Sequence, residues 1–106
     1  MNPKTVALKN LIVQQLEAMP EVRCRSMFGG YGLYAGERFF GIIHGERFYF
    51  HTNDESRERY VAAGMGCFIT PGKQMALKKY LEVPPQVIER ASELIKWARE
   101  AIGTVG

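Results

Sequence analysis

The stretch GERFFGIIHGERFYFH, Gly36–His51, states nearly the same five residues twice: Gly36-Glu37-Arg38-Phe39-Phe40 and Gly45-Glu46-Arg47-Phe48-Tyr49. A glycine at the first central position of a two-residue turn favours the type II′ geometry, whose twist fits a hairpin. Placing Gly45-Glu46 in such a turn pairs His44 with Arg47, Ile43 with Phe48, Ile42 with Tyr49 and Gly41 with Phe50. Side chains alternate across a strand. Phe39, Ile43, Phe48 and Phe50 then share one face, apolar enough to lie under helices. Phe40, Ile42, His44, Arg47, Tyr49 and His51 share the other. That second face mixes apolar and polar groups and is too apolar to be merely solvated. It is a candidate partner surface unless a loop or the chain's own tail covers it.

Upstream lies SMFGGYGLYAG, Ser26–Gly36, with four glycines in eleven residues. Gly30, Gly32 and Ala35 match the spelling of a dinucleotide-binding turn. That motif needs its glycines to end a strand and open a helix, so that the helix N-terminus meets the pyrophosphate. Here the residues that follow read as another strand, and no Walker lysine is present. The glycines are expected instead to let a strand bend, bulge or approach another backbone. Met27, Phe28, Tyr31, Leu33 and Tyr34 are expected to pack around that bend.

Further out, Asn2-Pro3 caps and opens a helix. Leu8, Leu11, Ile12, Leu16 and Met19 continue it at helical spacing until Pro20. After the strands, Thr52-Asn53-Asp54-Glu55 spells a capping box, and Gly64 is placed to stop that short helix. Cys67–Thr70 and Gln74–Leu81 read as strands around the turn Pro71-Gly72-Lys73. Pro84-Pro85 break the second of these and start a last helix. Its stripe runs from Val87 through Leu94 and Ala98 to Ile102, and Gly103 closes it. The predicted order is α-β(4)-α-β(2)-α: an α+β fold of two layers, a mostly antiparallel sheet with helices on one face.

The 106 residues are one domain's worth, spanning 1–106. Apolar residues make up 46% and charged residues 24%, an ordinary globular mixture that can bury a core without metals or disulfides. No apolar run is long enough to span a bilayer. The first residues lack a signal peptide's apolar run, so a cytoplasmic protein is expected. Cys24 and Cys67 are expected to be reduced and to fill core. Two dispersed cysteines and two histidines make a zinc site an unpromising reading, and no metal or cofactor is expected. The serines sit in no nucleophile elbow, and the acids read as caps, turns and solvated faces. No catalytic residue is expected, and the chain is read as no enzyme. The net charge is +3. Residues 23 to 80 hold nine Lys/Arg against five acids, so the positive excess is local. Arg25, Lys73, Lys78 and Lys79 are the candidate basic contacts, although alternation sends Lys78 and Lys79 to opposite faces.

The run Arg25-Ser26-Met27-Phe28-Gly29-Gly30-Tyr31-Gly32-Leu33-Tyr34 resembles the signature of the TfoX/Sxy N-terminal domain family. The likeness continues through Phe39–Ile43, Gly45, Phe48–Phe50, Arg57, Tyr60, Gly64 and Phe68. Gly72-Lys73, Tyr80, Val83-Pro84, Glu93-Leu94 and Trp97-Ala98 extend it over residues 8 to 102. The resemblance implies a domain like the type III secretion chaperones and a part in transcriptional regulation of competence. There the full-length members act with the cyclic-AMP receptor protein and carry a second, C-terminal domain. The family supplies no catalytic residues, and Met27, Phe28, Gly29, Gly30, Tyr31 and Gly32 carry over as a structural signature. Two functions stay open. One is a regulatory protein-interaction module that binds a partner or itself, as a homodimer, through the sheet face. The other is a direct nucleic-acid binder using the basic 23–80 region.

Overall fold

In the computed structural model, which describes residues 2–27 and 29–106, both Gly-Glu pairs form two-residue turns between antiparallel strands. β1 (Val22–Met27), β2 (Gly30–Ala35), β3 (Arg38–His44) and β4 (Arg47–His51) follow one another as hairpins. Gly36 and Gly45 take φ of +62° and +61°, and neither glutamate after them has a positive φ. That combination is the one type II′ turns require. The β3–β4 register is the expected one, from His44↔Arg47 to Gly41↔Phe50. Around this meander come α1 (Pro3–Gln15), α2 (Asp54–Ala62), β5 (Cys67–Ile69), β6 (Ala76–Glu82), α3 (Pro85–Ile88) and α4 (Ala91–Thr104). The sheet has six antiparallel strands in the order β1-β2-β3-β4-β6-β5.

All four helices send side chains into one cluster: Ile12 from α1, Tyr60 from α2, Val87 and Ile88 from α3, and Leu94, Ala98 and Ala101 from α4. The sheet answers with Leu33, Phe40, Ile43, Phe48, Phe50 and Leu81. Each large side chain buried here contributes about 1.5–3 kcal/mol. The opposite face has a smaller cluster made by strand residues alone: Ile42, Tyr49 and Phe68, flanked by Phe39, Leu77 and Tyr80.

Phe39 and Phe40 are on the reverse faces from those that strict alternation predicts. Leu33 pairs with Gly41 and Tyr34 with Phe39, which leaves Phe40 as an extra residue in β3. Such a bulge turns two successive residues to one side. Phe40 and the Cα of Gly41 therefore both face the helices, and Phe39 faces away. Gly41 makes this affordable in space: a Cβ there would meet Leu33 Cβ at 3.2 Å and Phe48 Cε1 at 3.3 Å.

Several element ends also differ from the sequence reading: α1 stops at Gln15, with Leu16 as its C-cap, rather than running to Pro20, and β6 starts at Ala76 rather than Gln74. Asn53, not Thr52, caps α2: its side chain accepts from the Ser56 amide, and Ser56 Oγ accepts from the Asn53 amide. Thr52 is buried, and its hydroxyl donates to the Lys79 carbonyl at 2.8 Å, tying α2 to β6. The last helix is two helices, because Arg90 is extended, and the Ile88 carbonyl accepts from Gln15 Nε2 at 2.8 Å. α4 continues past Gly103 to Thr104.

Candidate partner surface

The helix-free face is where the sequence placed a partner surface, and the structure redistributes its six residues. Phe40 is fully buried under the helices, its ring 5.9 Å from that of Phe50. Ile42 and Tyr49 lie on the helix-free face but are only 1% and 8% exposed. Their cover is Phe68. The β5–β6 pairing is irregular, Cys67↔Leu81 then Phe68↔Leu77. Phe68 reaches back over the sheet to within 5.1 Å of the Tyr49 ring and 5.6 Å of the His44 ring. The chain itself therefore covers the middle of this face. His44 and His51 are partly exposed, and Arg47 is exposed and ion-paired with Glu82 at 2.8 Å.

What remains open is a row of aromatic rings that the sequence reading passed over. Tyr34 on β2 stacks on Phe39 of β3 at 5.0 Å, and Phe39 lies 5.2 Å from Tyr80 of β6. His51 of β4 meets Tyr80 edge-on at 5.1 Å. All four are partly exposed. The Tyr80 hydroxyl donates to the Phe39 carbonyl at 2.7 Å, which pins the row to the backbone. Burial, and then the neighbouring Tyr34, push the Tyr80 phenol up to about 12. Burial, and then Lys79, hold the His51 imidazole below its usual value. The His51 Nδ1 bonds Thr104 Oγ1 at 2.7 Å, while that hydroxyl donates to the Ala101 carbonyl. The same hydroxyl also lies 3.1 Å from the His51 carbonyl, so Thr104 ties His51 to α4 through both its ring and its backbone. The one local hint of the row is Gly41 inside a strand, since an interior glycine often marks a bulge, but it does not say which neighbour the bulge turns.

The basic candidates do not converge. Arg25 is on edge strand β1, its guanidinium over the Tyr34 ring at 5.8 Å. Lys78 and Lys79 are on β6, four strand spacings away, roughly 19 Å along the sheet. They share a cavity of about 290 Å³ with Arg57, Thr52 and Asn53, but also with Asp54. Lys73 is exposed in the 71–73 turn. Charge is nevertheless sorted by element. The strands hold Arg23, Arg25, Arg38, Arg47, Lys78 and Lys79, and Glu82 as their one acid. The other acids lie on helices and in the segments that join elements.

The glycine signature sits in the β1–β2 hairpin and leads into β2, not into a helix. Met27 ends β1, Gly29 has φ +75°, and Gly30, Tyr31 and Gly32 begin β2. Phe28 lies outside the described residues. A Cβ on Gly30 would meet the Ile43 carbonyl oxygen at 2.1 Å, so β2 and β3 approach closely there. Cys24 and Cys67 are free, partly buried, and on opposite edges of the sheet. Burial raises the Cys24 thiol, with Lys9 acting against it. Among the described residues no group of three His, Cys, Asp or Glu is placed to hold a metal. No helix among them is long and apolar enough to cross a membrane.

No curated protein matches the chain. The family model for the TfoX N-terminal domain matches residues 14–104, which includes the glycine hairpin, the aromatic row and all of the helix-free face from β1 to β6. The chain belongs to the TfoX N-terminal domain family.

Proposed function

We propose that this chain is a non-enzymatic regulatory domain that acts in the cytoplasm by associating with protein, in transcriptional control of the competence type. The observation that carries the reading is the partly exposed row Tyr34–Phe39–Tyr80 on the one sheet face that no helix covers. Aromatic side chains and arginine are enriched where interfaces concentrate their energy, and Arg25 lies over the end of this row. The occupant is a partner protein or a second copy of the chain in a two-fold dimer, the commonest symmetric assembly. Sedimentation of the parent and of a Tyr34→Ala/Phe39→Ala variant, alone and with cytoplasmic extract, tests it. The parent forms a faster species that the folded variant loses. Identical sedimentation of the two contradicts the reading.

A second reading has its own observation, the six strand cations against one acid. Single-stranded nucleic acid binds where exposed aromatics and cations combine. Its affinity falls steeply with salt, whereas association through the aromatic row is nearly indifferent to it.

A further inference from the structure

The sheet ends at β1, whose only strand neighbour among the described residues is β2, so one side of its backbone is open to pairing. The Val22 amide is already used, donating to the Met19 carbonyl at 3.0 Å, and the open edge lies beyond it. On the helix side of this edge a cavity of about 210 Å³ opens between α1 and the sheet. Ile12, Leu16, Met19, Val22, Cys24 and Leu33 line it, and Val13, 46% exposed, stands at its wall with Glu17. On the other side of the same strand Arg23 and Arg25 are exposed. Neither has an ion-pair partner among the described residues. The contact with Tyr34 fixes the face of Arg25, and Arg23 follows by alternation.

We infer that the β1 edge takes an extended peptide segment as a further strand, apolar side chains entering the cavity beside α1 and carboxylates at alternate positions meeting Arg23 and Arg25. This rests on the reading that the chain works by protein association, and it names a second surface and the chemistry of its partner. Main-chain bonds to a sheet edge accept any sequence; pockets and charges at alternate positions select one. An added strand presents alternate side chains to opposite faces, which here are an apolar cavity and a cationic pair. A second copy of the chain is the wrong occupant. Pairing two β1 strands would set arginines of one against arginines of the other, and like charges directly opposite are destabilising.

Fluorescence anisotropy tests this on the full chain with two labelled peptides of about eight residues, a common strand length. Both alternate valine with a charged residue, glutamate in one and lysine in the other. The glutamate peptide binds about tenfold tighter or better, and amide exchange at Cys24 and Ser26, whose amides lie on the same side of β1 as that of Val22, slows in its complex. The Arg23→Glu/Arg25→Glu variant reverses the preference. Val13→Asp, at an exposed position that leaves the core intact, weakens the glutamate peptide severalfold. Equal binding of the two peptides, binding without slowed exchange in β1, or no binding to the parent at millimolar peptide overturns the inference. Sedimentation of a Phe39→Ala variant, which keeps the Arg25–Tyr34 contact, reports on the aromatic row without touching the β1 edge, so the two surfaces fail separately.

Discussion

A single methyl group at position 30 tests the close approach of β2 and β3. A Cβ built on Gly30 meets the Ile43 carbonyl oxygen at 2.1 Å and the His44 Cα at 3.2 Å. Carbon–oxygen contacts are ordinarily about 3.3 Å or longer, so the overlap is on the order of 1 Å. The obstacle is backbone, which cannot swing away like a side-chain tip. β2 must lift off β3 and loosen the Tyr31↔Ile43 and Gly32↔Ile42 pairs. Each weakened hydrogen bond costs about 0.5–1.5 kcal/mol, and forced overpacking about 1–3 kcal/mol. Gly30→Ala should therefore cost about 2–4 kcal/mol, out of a total on the order of 5–15 kcal/mol. For a domain of this size that lowers Tm by on the order of 10–25 °C. Two glycines serve as controls. Gly66 has nothing within 4 Å of a built Cβ and no positive φ, so Gly66→Ala should be neutral or stabilising by less than about 1 kcal/mol. Gly29 also faces open space but has φ +75°, so Gly29→Ala should cost about 1 kcal/mol. Thermal and urea melts followed by far-UV circular dichroism measure all three. A Gly30→Ala protein that melts with the parent, or a Gly66→Ala protein that suffers as much, refutes the close-approach reasoning.

Phe40→Ala should cost about 3–5 kcal/mol, as a fully buried core truncation, and Phe39→Ala clearly less. The opposite order in urea melts would restore strict alternation and remove the bulge. Both cysteines should take up an alkylating group after denaturation without reductant, since they sit on opposite edges of the sheet and are free. A chain that stays unlabelled by mass would carry a bridge that this fold forbids. His51 is held below its unfolded value, so the folded state resists its protonation. Its contribution is complete above the unfolded pKa, about 6.5, and is lost as the pH falls below that value. The melting temperature of the parent should therefore drop more steeply between pH 7 and pH 5 than that of His51→Gln; parallel curves would contradict it.

Local chemistry explains which parts of this fold could be read from the chain. Asn2-Pro3, the Gly-Glu turns and Gly64 each act within a few residues, and each does in the structure what its chemistry dictates. The β3–β4 register follows from one turn and was legible for that reason. The candidate surface was not, because two of its determinants are non-local. The bulge at Phe40 depends on how β2 and β3 pack against Phe48, which alternation within one strand does not encode. The burial of Ile42 and Tyr49 depends on Phe68, which arrives only after α2 and through an irregular pairing. Thr52 looked like a cap by its spacing from Glu55, but a distant carbonyl on β6 claims its hydroxyl, and Asn53 takes the role. The break between α3 and α4 has no glycine or proline at Glu89-Arg90 to announce it.

Association through the helix-free face is tested most directly by crosslinking in living cells, with a photoreactive benzophenone side chain in place of Tyr34. The control places the same group at Ser92, exposed on α4 in the helical layer. The expected result is a discrete protein adduct from position 34, resistant to nuclease and to moderate salt, with none from position 92. No adduct from position 34, equal adducts from both, or an adduct that nuclease removes would contradict a protein-binding role for this face.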